Sequence, residues 1–177
     1  MGMSMARLRV PAVVGLALLG FSGCTDLAAP SGGGFQQQYF AARDALETGR
    51  YDAAARSYQK LLKNYPAGAV EARLMLELSH AQLRGGDYEA ASRAARSLAA
   101  SQTGPVRGMA LAVAASADHE IARSAIAAGD RGAATRQRLQ AAASALDELL
   151  AEYPGLDIGK AMARRRALIT SELAALG

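Results

Sequence analysis

Tryptophan is absent from this 177-residue chain, and aromatic residues make up only 5% of it. Sheet cores draw on β-branched and aromatic side chains. An alanine-rich, aromatic-poor sequence instead favours closely packed helices. There is one cysteine, Cys24, so no intrachain disulfide is available and stability rests on packing. There are two histidines, His80 and His119, and neither has a second histidine three or four residues away, so the spacing of a zinc site is missing. No phosphate-cradling loop is present: Gly32-Gly33-Gly34 lacks the flanking Lys and Ser/Thr. Asp147, Glu148 and Glu152 lie close on one predicted helix, and such a cluster reads as a solvated face. No catalytic, cofactor-binding or metal-binding residue is identified, and the sequence reads as that of a non-enzyme. No long apolar run occurs either. Residues 10–21 (VPAVVGLALLGF) fall short of the roughly 20 residues a membrane-spanning helix needs.

The charge balance is modest. Twenty Lys+Arg against 16 Asp+Glu give +4, with a pI near 9.5. Arg7 and Arg9 precede the apolar run, and a chain without them carries +2. The remaining basic residues are scattered, with no aromatic-basic stripe, so nucleic acid is not an expected partner.

The start of the chain has the layout of a signal peptide: a basic Arg7/Arg9 region, the apolar run, and small residues Ser22-Gly23 before Cys24. This resembles the lipobox of bacterial lipoproteins, in which the cysteine thiol is lipidated and the chain is cut before it. Phe21 stands where that pattern usually has Leu. The resemblance implies a signal peptide over residues 1–23 and a lipid anchor on Cys24. The alternative is a plain secretory leader with a chance cysteine. Residues 25–34 (TDLAAPSGGG) read as a flexible tether. In lipoproteins an Asp directly after the lipidated cysteine favours the inner membrane. Thr25 holds that place here, which implies the periplasmic face of the outer membrane, with the inner membrane or soluble periplasm as alternatives.

From Phe35 onward the sequence repeats. Gly49-Arg50-Tyr51-Asp52-Ala53-Ala54 recurs as Gly86-Asp87-Tyr88-Glu89-Ala90-Ala91 and, more weakly, as Gly129-Asp130-Arg131-Gly132-Ala133-Ala134. Helix-period sequence flanks each copy. The expected helices cover 35–48, 51–64, 67–85, 87–101, 105–128, 131–153 and 158–176. The glycines suit helix ends in the left-handed conformation. Pro105 suits a first helical turn. Asp87, Asp130 and Asp157 stand where a carboxylate caps a helix start. The pattern resembles tetratricopeptide repeats, with Ala54, Tyr58 and Pro66 at the small, aromatic and helix-ending positions. It implies an all-α superhelix of about three α-α hairpins plus a C-terminal capping helix over residues 35–177. The third hairpin is expected to be about two turns longer than the first, because Pro154 follows Gly129 by 25 residues where Pro66 follows Gly49 by 17.

The endings Asn64-Tyr65-Pro66 and Glu152-Tyr153-Pro154 carry a closer resemblance. With the lipobox, tether and closing helix, they look like the BamD-type lipoproteins of the outer-membrane β-barrel assembly machinery, in a shortened form. Members of that family usually carry five repeats. The resemblance implies a membrane-anchored scaffold for envelope proteins. A soluble periplasmic repeat protein and a lipoprotein of pilus assembly or envelope coordination stay open as alternatives.

In tetratricopeptide proteins the first helices of successive repeats line a groove that takes peptides. Alignment on the glycines places Gln36, Tyr39, Arg43 and Leu46 there, then Arg73, Leu76, His80 and Leu83, then Ser116, His119, Arg123 and Ile126. The set reads as cationic and polar, suited to an extended acidic or C-terminal peptide through arginine. The Lys/Asn carboxylate clamp of some relatives is not reproduced. For His80 and His119 partial burial between helices is the competing reading. Arg164-Arg165-Arg166 is the densest basic cluster, read either as a solvated face or as a contact for an acidic partner or anionic lipid.

Overall fold

The structure, a computed structural model, describes residues 34–66 and 70–177. The leader, Cys24 and nearly all of the tether lie outside the described residues, so those expectations stand as sequence readings. Among the described residues seven α-helices follow one another: α1 Phe35–Glu47, α2 Tyr51–Asn64, α3 Glu71–Gly85, α4 Tyr88–Ser101, α5 Gly104–Ala127, α6 Ala133–Glu152 and α7 Ala161–Ala175. A short 3-10 turn at Pro154–Leu156, not anticipated from the sequence, joins α6 to α7. Each helix packs antiparallel on the next, and the hairpins stack as tetratricopeptide-like repeats.

Local chemistry explains the boundaries. Gly49, Gly86 and Gly129 hold φ of 78°, 83° and 87°, a region costly for any residue with a Cβ. They are the three glycines that mark the repeat. The Asp87 carboxylate accepts from Ala90 N at 3.2 Å and caps α4. Asp157 caps α7 from further back, accepting from Met162 N at 2.9 Å and Ala163 N at 3.0 Å. Those backbone donors hold its carboxyl below the usual range. Asp130 differs: its carboxylate accepts from Gly132 N at 2.8 Å inside the turn, before α6 begins. Helices α5 and α6 have 24 and 20 residues against 13 to 15 in the first two hairpins, matching the longer spacing in the sequence.

The core passes from one hairpin to the next. Tyr58, Leu61 and Leu74 fill the space between α1, α2 and α3. Leu98, Leu111 and Leu149 continue it through α4, α5 and α6, and Leu139, Leu146 and Ile169 close it against α7. Gly108 on α5 lets the α6–α7 corner approach. A Cβ there would sit 2.6 Å from Leu156 Cδ1 and 2.8 Å from the root of the Tyr153 ring. Helix α3 packs on α5 as well as on its sequence neighbours, and side-chain hydrogen bonds join α1 to α3, so α1, α3 and α5 follow one another along one face of the array.

Candidate peptide groove

Helices α1 and α3 bring three of the predicted residues together. Arg73 Nε donates to Tyr39 Oη at 2.8 Å, and its guanidinium stands 5.6 Å from the centre of the Tyr39 ring. Arg43 Nη1 donates to Glu77 Oε1 at 2.8 Å and Nη2 to Glu47 at 2.7 Å. Both links to the next repeat join residues 34 positions apart, three short of the 37 between equivalent positions, so each side chain of α1 meets the turn before its own equivalent on α3. Phe35 stacks on Tyr39 at 5.8 Å and meets Tyr65 edge-on at 5.0 Å, which fixes where the tyrosine hydroxyl points.

Glu77 was not among the predicted groove residues, yet it organises this cluster. Its signal in the sequence was its place four residues after Arg73 on the same helix face. Together with Glu47 it balances Arg43 and Arg73. The two arginines are therefore paired rather than free, and charge at this point of the groove is balanced. What stays open is apolar. Ala72, Leu76, Val106 and Met109 line a cleft of about 380 Å³ between α3 and α5, with Arg73 and Glu77 on its rim.

The other predicted residues fall elsewhere. His80 is half-buried on α3, one turn beyond Glu77, and burial pushes its pKa down. Leu46 and Ser116 are buried at 8% and 7% exposure. His119 is 1% exposed and does not line the groove: helix α7 lies over it. Its Nε2 is 2.7 Å from Glu172 Oε2, and its Nδ1 is 2.9 Å from Arg165 Nη1. Arg123 is half-exposed beside Glu120 and Glu172. So His119 is enclosed in the docking of α7, while Arg123 lies beside it with its side chain half exposed. The arginine run also splits. Arg165 reaches Glu120, Arg166 grips Asp147 through Nε at 2.7 Å and Nη2 at 3.0 Å, and Arg164 stays exposed.

The His119 contacts fix its protonation state. An arginine only donates, so Nδ1 accepts and Nε2–H donates to Glu172. The ring is neutral: burial, with the neighbouring Arg165 charge, lowers its pKa despite the pull of Glu172. The unfolded chain, with histidine near its ordinary value of about 6.5, then binds more protons than the folded one in mildly acid solution. This contribution to stability is complete above that value and is lost as pH falls through the lowered one. The melting-temperature gap between the wild type and His119→Gln is expected to narrow from pH 8 to pH 5. A gap independent of pH would refute the neutral assignment.

Among the described residues no group of three or more His, Cys, Asp or Glu is disposed to hold a metal ion, and no helix is long and apolar enough to cross a membrane. The hairpin array, with its Tyr-Pro corners, agrees with a family comparison. Residues 34–176 match the family described as YfiO, outer membrane lipoprotein. The chain belongs to that family. No curated protein and no solved structure matches it. The YfiO match starts at the first described residue and reaches into the end of α7, so it takes in all three hairpins and the closing helix.

Proposed function

We propose that this YfiO-family protein is a non-catalytic scaffold, anchored through lipid on Cys24 to the periplasmic face of the outer membrane. It would present its helical groove to envelope proteins during β-barrel assembly. The family match supports an outer-membrane lipoprotein. The observation that carries the scaffold reading is the cleft between α3 and α5. Its apolar floor of Leu76, Val106 and Met109 is bordered by a rim of Arg73 and Glu77, with Arg73 held by its hydrogen bond to Tyr39. A preorganised rim reduces the ordering cost of binding. An apolar side chain from an extended segment fits the floor, while its backbone meets the polar rim.

Cross-linking of the tagged, membrane-extracted protein, followed by mass spectrometry, tests this reading. The central barrel-assembly protein and its companions are expected in the wild-type sample. They should fall at least tenfold with Leu76→Asp, a loss of about 1.4 kcal/mol in binding. Pilus, division or peptidoglycan proteins in their place would overturn the barrel-assembly role. Unchanged recovery with Leu76→Asp would overturn the groove. The mass of the mature N-terminus reads the lipid on Cys24 directly.

A further inference from the structure

We infer that one edge of the repeat array lies on the membrane surface, with Ile158, Leu156 and Val70 entering the lipid interface and lysines flanking them. The inference rests on the proposed lipid anchor at Cys24 and adds an orientation to it. Antiparallel packing gives the array two edges. One carries the start of α1, the α2–α3, α4–α5 and α6–α7 connections, and therefore the entry of the chain at Gly34. The other carries the turns at Gly49, Gly86 and Gly129. Contacts trace the first edge as continuous. Phe35 touches Tyr65, Ala72 and Val106 line one cleft, and Gly108 abuts Leu156.

Exposed apolar residues are distributed unevenly between these edges. Five large hydrophobic side chains are exposed among the described residues, and three of them sit in connections: Val70 at 37%, Leu156 at 42% and Ile158 at 89%. All three are on the entry edge. The other two, Phe40 and Leu168, lie on the helices α1 and α7, and none lies in the glycine turns. The lysines follow the same division. The chain has only Lys60, Lys63 and Lys160; the first two lie in the final turns of α2, and the third precedes α7. All three are exposed, and no salt bridge among the described residues uses a lysine, whereas most arginines on the helices are paired. Glu71 and Glu152 share the edge, so its charge is mixed, with free ammonium groups beside the apolar tips. Single exposed hydrophobics need no explanation. A group of them at one edge, with lysines whose stems lie along an interface and whose heads meet anionic headgroups, matches interfacial binding.

The tip is also held rigidly. Between Leu156 and Ile158, Asp157 is 4% exposed and committed to capping α7. Lys160 closes the corner at φ 56°. Ile158 therefore cannot fold back onto the protein without uncapping the helix. Ten residue steps lead from Cys24 to Gly34, a span of at most about 35 Å when fully extended. A lipid on Cys24 would keep the array at the bilayer, and since α1 is only about 20 Å long, it is the apolar tips and the lysines, not the tether, that select the entry edge.

The test uses the lipidated full chain in vesicles of phosphatidylethanolamine with a minority of anionic phosphatidylglycerol. With Cys24 acylated, an environment-sensitive fluorophore goes onto the new thiol of Ile158→Cys, Val70→Cys or, on the opposite edge, Arg131→Cys. Emission at 158 and 70 is expected to shift to the blue and to be quenched by lipid-borne spin probes at least twofold more than at 131. Equal quenching at 158 and 131 in a lipidated sample overturns the edge while leaving the anchor standing. A blue shift at 158 without lipid quenching also overturns it and points to contact between copies. An unmodified Cys24 in the mass spectrum overturns the anchor reading itself and, with it, the orientation.

Discussion

Tyr58→Ala is expected to remove about 4 kcal/mol of unfolding free energy, while Tyr58→Phe is expected to be neutral or stabilising. Tyr58 is fully buried among Ala42, Ala54, Leu61 and Leu74, where α1, α2 and α3 meet. The small Ala54 lets the two helices of the hairpin approach, and the large ring fills the space that remains. It also meets the Tyr39 ring edge-on at 6.4 Å, so the groove tyrosine rests on it. Truncation to alanine loses the transfer energy of the ring and leaves a cavity that rigid helices only partly close. The hydroxyl is a different matter. Tyr58 Oη has no hydrogen-bond partner among the described residues, and burial pushes its pKa above the ordinary tyrosine range. An unsatisfied buried hydroxyl costs roughly 1–3 kcal/mol, so removing it alone relieves the folded state. Urea unfolding followed by far-ultraviolet circular dichroism compares the two variants. Repeat arrays transmit stability mainly to their neighbours. The alanine variant should therefore exchange amide protons fastest in α1 to α3. A phenylalanine variant as damaged as the alanine one would refute the orphan-hydroxyl argument.

The hairpins were legible in the sequence because their signals are local. Glycine at 49, 86 and 129 sets left-handed turns, and aspartate at 87 and 157 caps the helix that follows. Repeat phase placed Tyr39, Arg43 and Arg73 on one side of the array, but their contacts, offset by one turn from equivalent positions, were not legible. The third hairpin was less legible than the first two, and α5 shows why. Every residue from Val113 to Ala117, together with Asp118 and His119, is buried, so this helix is enclosed on all sides. Counting groove positions assumes that one face is open, and on α5 no such face exists at that level. The long α5 and α6, with α7 docked over them, cover His119. A run of three arginines likewise looks like one patch in sequence. Successive side chains on a helix point about 100° apart, and here they serve different neighbours.

The least legible residue is Asp118, and its loss is expected to be nearly as damaging as that of Tyr58. Nothing in the sequence singles it out from the alanine-rich stretch around it. In the fold it is 1% exposed, between α4, α5 and α6. Its carboxylate accepts from Ser92 Oγ at 2.7 Å, Arg96 Nε at 3.1 Å and Arg138 Nη1 at 3.0 Å. Arg138 also reaches Glu89 of α4 at 2.8 Å. One buried carboxylate thus ties the long third hairpin to the second. Breaking a buried pair by removing one partner costs about 3–5 kcal/mol, because the remaining charge is stranded. The stranded groups here are guanidiniums with side chains 49% and 33% exposed, able to turn into water. The expected loss for Asp118→Ala is therefore at the lower end, about 3 kcal/mol. Arg96→Ala should cost less, since Ser92 and Arg138 still satisfy the carboxylate. Thermal unfolding of both variants reads the order. Equal losses, or a larger one for Arg96→Ala, would mean that packing of the arginine stem, rather than the carboxylate, joins the hairpins.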